Sequence, residues 1–242
     1  MKKIISLIAV CAATMPAYAV PHMVRRDSDS YNVTYDYRDK AKTGWYLTGH
    51  ADLSLLNFTN KYSSDEPGVN ASFNKDSYSF EPVFSGGLTF GRRFGYFVRG
   101  DLELGYIGNF KDKDEGFEYE LSIPYLMANG YYDFFNGFYV GAGLGAAMPT
   151  MKIDGDIFVD SGNRTKRGFG VIGGINLGYA HQLDDNIVLD LRYRLAGITG
   201  VKHNRQFQVY DSVNDAYILR DVTVKTGFIM DNSFSLGIRY EF

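Results

Sequence analysis

The chain has 242 residues, 16% of them aromatic, with 18 Phe and 19 Tyr but 6 Pro and a single cysteine, and its formal charge is −3. That mild acidity gives no electrostatic footprint for nucleic acid, and one cysteine leaves neither a disulfide framework nor a thiolate metal site. No stretch approaches the ~18 consecutive apolar residues of a membrane helix.

The first element expected is a secretory signal over 1–19. Lys2 and Lys3 form its positive start, Ile4 to Thr14 its short apolar stretch, and Ala17-Tyr18-Ala19 a small-residue cleavage site. Cys11 lies inside it, so the mature chain is expected to lack cysteine. Removing Lys2 and Lys3 with the signal leaves 23 basic and 28 acidic residues, a formal charge of −5. Residues 20–43 are polar and patternless, which predicts a flexible periplasmic leader. Regular alternation begins at Gly44 and sets the bounds of one domain, 44–242.

Period-two alternation marks strands with one oily and one polar face. The first sets Trp45, Leu47, Ala51, Leu53 and Leu55 against Tyr46, Thr48, His50, Asp52 and Ser54. The second sets Phe80, Phe84, Leu88 and Phe90 against Glu81, Ser85 and Thr89. The third sets Val98, Leu102, Leu104 and Tyr106 against Arg99, Asp101 and Glu103. In the fourth, Tyr119, Leu121, Ile123, Tyr125, Met127 and Tyr131 are taken as the oily face, with Glu118, Glu120, Ser122 and Ala128 opposite. The fifth runs Phe138, Val140, Ala142, Leu144, Ala146 and Met148 with glycines between. The sixth sets Phe169, Val171, Ile175, Leu177 and Tyr179 against Gly170, Gly174, Asn176 and Gly178. The seventh sets Ile187, Leu189, Leu191, Tyr193 and Leu195 against Asp190, Arg192 and Arg194. The eighth closes the chain with Phe234, Leu236, Ile238, Tyr240 and Phe242 on one face and Arg239 and Glu241 on the other.

Each oily face lasts ~9–11 residues, enough for a tilted strand to cross a bilayer. Short connections, such as the one holding Asn136-Gly137, alternate with long polar ones at about 57–79, 109–117, 149–167 and 196–228. This predicts an all-β fold: an eight-stranded antiparallel transmembrane up-and-down β-barrel with short periplasmic turns and long extracellular loops. Both termini are then periplasmic. Trp45, Phe90, Tyr96, Tyr131, Phe138, Tyr179, Tyr240 and Phe242 are expected to form one aromatic girdle, and Phe80, Tyr106, Tyr119, Phe169 and Phe228 the other. A soluble β-sandwich or lipocalin-like barrel would turn the oily face inward, but charge recurs at mid-strand polar positions.

The inward charges Asp52, Glu81, Arg99, Asp101, Glu103, Glu118, Glu120, Asp190, Arg192, Arg194 and Arg239 should pair across a bore about filled by its own side chains. Catalysis has little to stand on. No metal-spaced histidine pair occurs, and His50 with Asp52 on one face reads as a hydrogen-bonded lumen pair. Neither a catalytic, metal nor cofactor-binding residue is assigned. The segment 196–228 reads as a hairpin extending the last two strands, with Phe207, Tyr210 and Tyr217 as candidate loop contacts. Basic Arg164-Thr165-Lys166-Arg167 would sit where lipopolysaccharide phosphates lie.

Gly44-Trp45-Tyr46-Leu47, Leu126-Met127-Ala128-Asn129-Gly130-Tyr131-Tyr132-Asp133, Tyr139-Val140-Gly141-Ala142-Gly143-Leu144-Gly145 and the closing Leu236-Gly237-Ile238-Arg239-Tyr240-Glu241-Phe242 carry a resemblance. Over about 44–242 the chain resembles the opacity-protein-like family of small Gram-negative outer-membrane barrels. Phe242 with its alternate apolar predecessors also resembles the signal read by the barrel-assembly machinery. The resemblance implies surface exposure and antigenicity, with adhesion in some members and haem binding in others, and it transfers no activity to a named residue. The expected function is therefore a structural surface protein of the outer membrane, not an enzyme and without cofactor. Its loops would contact a host-surface or small-molecule ligand, and its wall would contact outer-membrane lipid and lipopolysaccharide. A small porin or haem-binding barrel is the alternative, and a lipid-modifying enzyme stands third.

Overall fold

The computed structural model describes residues 44–64, 72–94, 97–114, 117–134, 136–154, 164–211 and 216–242. The signal, the leader and Tyr96 lie outside them. Among the described residues there are twelve strands: β1 (Trp45–Ser64), β2 (Ser72–Arg93), β3 (Val98–Asp114), β4 (Phe117–Asp133), β5 (Phe138–Ala147), β6 (Thr150–Asp154), β7 (Thr165–Arg167), β8 (Gly170–Gln182), β9 (Ile187–Ile198), β10 (Lys202–Asp211), β11 (Ala216–Thr226) and β12 (Ile229–Glu241). Eight of them close a ring in the order β1-β2-β3-β4-β5-β8-β9-β12, sealed by β12 pairing antiparallel with β1 from Tyr46↔Glu241 to Asn57↔Met230. An antiparallel sheet closed on itself leaves no edge, which is what a bilayer demands of β-structure.

The segments read as long polar loops are largely paired strand. β1 and β2 stay paired out to Ser63↔Ser72 through two register shifts, between Leu56 and Phe58 and between Lys61 and Tyr62, and β10 pairs β11 from Lys202↔Lys225 to Asp211↔Ala216. Above the ring the wall divides. β10-β11-β1-β2 form one sheet and β3-β4-β6-β7 another, and among the described residues β2 has no partner in β3 beyond Ser85↔Ile107. The breaks that allow this fall at one level: a bulge between Ile107 and Phe110, Pro149 between β5 and β6, and Gly227-Phe228 between β11 and β12. The Gly108 bulge flips the facing of β3, so Tyr106 and Lys111 are both exposed while Ile107 and Phe110 are buried. A Cβ at Gly108 would collide with the Phe84 carbonyl, so only glycine admits this close approach.

The outward face of the ring is mainly apolar, with Phe84 86%, Leu104 63%, Leu144 65% and Ile238 59% exposed. A band of this size has no place in water and suits hydrocarbon. Trp45 stacks on Phe90, and Phe138 packs on Tyr179, at the end carrying the short turns and both ends of the domain.

Strand four contradicts the sequence expectation. Tyr119, Leu121, Ile123, Tyr125, Met127 and Tyr131 are buried inside the barrel, whereas Leu126 and Tyr132 face outward. Tyr131 and Tyr119 therefore leave the two aromatic girdles. Both faces of Ile123 to Tyr132 are rich in apolar residues, so alternation there did not discriminate. The upper acids Glu118 and Glu120 misled the assignment because they face outward above the apolar band. Interior tyrosines explain many of the glycines. Tyr46, Tyr125, Tyr131 and Tyr139 each lie opposite a glycine on the adjoining strand (Gly91, Gly105, Gly141 and Gly178), and a Cβ on any of the four would overlap the ring.

Candidate functional site

Two kinds of contents fill the bore. Near the short-turn end and through the middle it is ionic. Glu103, fully buried on β3, is the hub: it accepts hydrogen bonds from Arg192 Nη1 at 2.9 Å, Arg194 Nη1 at 2.7 Å and Tyr125 Oη at 2.6 Å. Asn129 Nδ2 adds a bond at 3.2 Å. His50 lies between two carboxylates, Nδ1 2.8 Å from Asp52 and Nε2 3.4 Å from Glu103. Arg194 also approaches Asp231 at 3.5 Å.

Nearer the short turns, Arg239 donates to Asp190 at 2.9 Å and to Glu241 at 3.1 Å, and Tyr139 hydrogen-bonds Asp190. Arg93 bridges Glu241 and Asp133, and Arg99 joins Asp133 at 3.0 Å. The Arg99 guanidinium is held between the faces of Tyr131 and Tyr139, 4.3 and 4.4 Å from the ring centres. Asp101 accepts from Tyr46 Oη and Asn129 Nδ2, both at 2.9 Å. Pairing of this kind offsets the cost of taking charges out of water and ties seven strands to one geometry. A polar cavity of about 20 Å³ beside His50, Arg99 and Arg192 has room for about one water.

Farther from the short turns the bore is filled mainly by apolar side chains. Leu56, Ile107, Leu121, Ile123, Ile172, Ile198 and Ile229 are all fully buried, and the same cluster continues between the two upper sheets through Phe58, Phe110, Tyr119 and Met151. An ion would have to shed its hydration shell to enter this layer, at a cost of several kcal/mol or more.

Of the charges expected in the lumen, the structure brings together Asp52, Arg99, Asp101, Glu103, Asp190, Arg192, Arg194 and Arg239. It does not bring in Glu118 or Glu120. Those two pair outside the barrel: Glu118 with Lys113 at 3.2 Å, and Glu120 with Lys111 at 2.7 Å and Lys152 at 3.7 Å. The Lys111 hydrogen bond holds the Glu120 carboxyl below the usual range. Glu81 sits opposite Leu56, level with the apolar layer, and makes no ion pair with a described residue. Sequence reasoning missed Arg93, Asp133 and Asp231. Asp231 was findable, since it continues the polar phase of Ser233, Ser235 and Arg239.

The side chains of Phe207, Tyr210 and Tyr217 lie outside the described residues, although their backbones place Tyr210 opposite Tyr217 in the β10–β11 hairpin. Phe234, Leu236, Ile238, Tyr240 and Phe242 all face outward and are exposed. Among the described residues no hydroxyl is hydrogen-bonded to His50, whose neighbours are carboxylates and Arg192.

No family model matches the chain. It is similar to the outer membrane protein PagN of Salmonella typhimurium, 25% identical over 252 residues that cover 87% of this chain and 95% of the relative. An uncharacterized Brucella suis protein is 26% identical, covering 84% of this chain and 86% of its own length. Among solved structures, OprG of Pseudomonas aeruginosa aligns with a TM-score of 0.48 at 13% identity over 82% of this chain and 96% of its own. The Neisserial surface protein A aligns with a TM-score of 0.43 at 16% identity, over 82% and 97%. Eight-strand closure and an apolar outer wall around an ionic bore give this chain the architecture of a transmembrane β-barrel, and over nearly its full length it is similar to an outer membrane protein, PagN.

Proposed function

We propose that the chain is a closed surface protein of the outer membrane, without catalysis or cofactor, which holds two β-sheets outside the bilayer for contact with envelope or host ligands. In this reading 1–19 is removed on export, 20–43 and the short turns are periplasmic, and the β10–β11 hairpin is extracellular. The observation that carries it is the double seal: an ion-paired layer followed by a fully buried apolar one. The same layering weighs against the porin alternative, because loosening the salt bridges would still leave an apolar barrier.

Three partner classes follow. The outward side chains Phe234, Leu236, Ile238, Tyr240 and Phe242 are offered to the barrel-assembly machinery, and β12 is the strand that closes the ring. The wall contacts lipid and, at its upper rim, lipopolysaccharide. Phe207, Tyr210 and Tyr217 remain the candidate hairpin contacts for a host-surface or small-molecule ligand.

Two measurements test the reading. Planar bilayers holding pure refolded protein should show no discrete conductance steps, and reproducible steps would refute closure. Saturable binding of expressing cells to a host-cell monolayer should be lost when 202–226 is replaced by a two-residue turn. Unchanged binding would remove the hairpin from the proposal.

A further inference from the structure

One cross-strand row of basic side chains on each upper sheet sets the two apart. On β3-β4-β6, Glu120 stands between Lys111 and Lys152 in direct cross-strand register and pairs with both. On the other sheet no acid intervenes. Lys202 lies directly opposite Lys225, and Lys225 directly opposite Lys61. Lys75 follows next in register on β2. Lys61, Lys202 and Lys225 are exposed, and none is ion-paired with a described residue.

Like charges placed directly opposite on neighbouring strands repel. At about 4.8 Å between strands, three ammonium groups line up over about 10 Å. Such a row costs the isolated barrel stability, and an anion laid across it reverses the sign.

Its height indicates which anion. Lys225 is three residues from Phe228, an outward side chain 62% exposed at the top of the apolar band. That is a rise of about 10 Å along the strand, and a lysine stem can reach back across part of it toward the headgroups. We infer that Lys61, Lys202 and Lys225 form a docking row for the phosphate groups of outer-leaflet lipopolysaccharide. The inference rests on the orientation proposed above, because only the outer leaflet carries that lipid.

The test uses the full mature chain, refolded in zwitterionic micelles and titrated with purified deep-rough lipopolysaccharide and with the same lipid after dephosphorylation. Lys61→Gln/Lys202→Gln/Lys225→Gln should weaken binding of the phosphorylated lipid about tenfold or more. The charge-neutral control Lys111→Gln/Glu120→Gln should change it less than about twofold. Dephosphorylated lipid should not distinguish wild type from the triple variant. Without lipid the triple variant should melt at or above the wild-type temperature, since repulsion has been relieved. Lys225→Gln alone, at the middle of the row, serves as a second variant with a smaller loss.

Equal binding of phosphorylated lipid by wild type and triple variant would overturn the inference. So would a loss confined to a soluble sulfated polysaccharide with lipopolysaccharide binding intact. Lys225→Cys on intact cells separates the two levels of the argument. Labelling by an impermeant maleimide after lipopolysaccharide has been released with EDTA, combined with equal lipid binding by wild type and triple variant, sinks the row alone, whereas absence of labelling on such cells sinks the orientation and the row together.

Discussion

Replacing Glu103 by Gln keeps the shape of the hub and removes its charge. Glu103 receives two arginines at 2.7 and 2.9 Å and a tyrosine hydroxyl at 2.6 Å, with no exposure to solvent. In Glu103→Gln, Arg194 keeps a 3.5 Å contact to Asp231 and a 4.0 Å approach to Asp52, both poorer than the bond it loses. Removing one partner of a buried ion pair typically costs about 3–5 kcal/mol, because the surviving charge is left in low dielectric. With a urea dependence of about 2 kcal/mol per molar, the unfolding midpoint in detergent micelles should fall by about 2 M. Asp101→Asn is the internal comparison. Its hydrogen-bond partners, Tyr46 and Asn129, are neutral, so its loss should be nearer 1 kcal/mol. Equal midpoints for Glu103→Gln, Asp101→Asn and wild type, followed by tryptophan fluorescence of Trp45 and by gel mobility, would refute a charge hub.

Further outcomes follow from the same geometry. Gly105→Val should abolish heat-modifiable folding, because Tyr125 occupies the space a side chain would need, whereas Gly130→Ala, with open space around it, should fold like wild type. Leu102→Arg on the outward band should cost about 2–4 kcal/mol in lipid vesicles, and an unchanged midpoint would argue that this face does not meet hydrocarbon. At the upper rim, the lowered Glu120 carboxyl contributes at neutral pH and loses that contribution as pH falls through its depressed value. Amide protection factors at the upper ends of β3 and β4 should therefore fall as pH drops through that depressed range, and Glu120→Gln should remove that step.

Where one face was uniformly large and apolar and the other carried charge or glycine, as in β9 and β12, the sequence alone identified the wall and the bore. Strand four lacked that contrast. Its inward tyrosines and methionine are as oily as its outward leucine, and its acids belong to a level where outward means aqueous. The same change of solvent along a single strand hid the upper sheets. Polar residues at 57–64 look like loop when one face is expected to be oily, yet they pair as strand above the apolar band, as does the hairpin expected within 196–228. Period two also cannot report partners across the ring. It placed Arg194 and Glu103 in the bore but could not show that they meet, and Glu81, correct in phase, stops at the apolar layer.

A nitroxide scan along β4 from Leu121 to Tyr131, read as oxygen accessibility in lipid vesicles, bears most directly on how this barrel divides lipid from interior. Positions 124, 126, 128 and 130 should show high oxygen collision rates, and 121, 123, 125, 127, 129 and 131 low ones. The opposite phase, or rates without alternation, would contradict it.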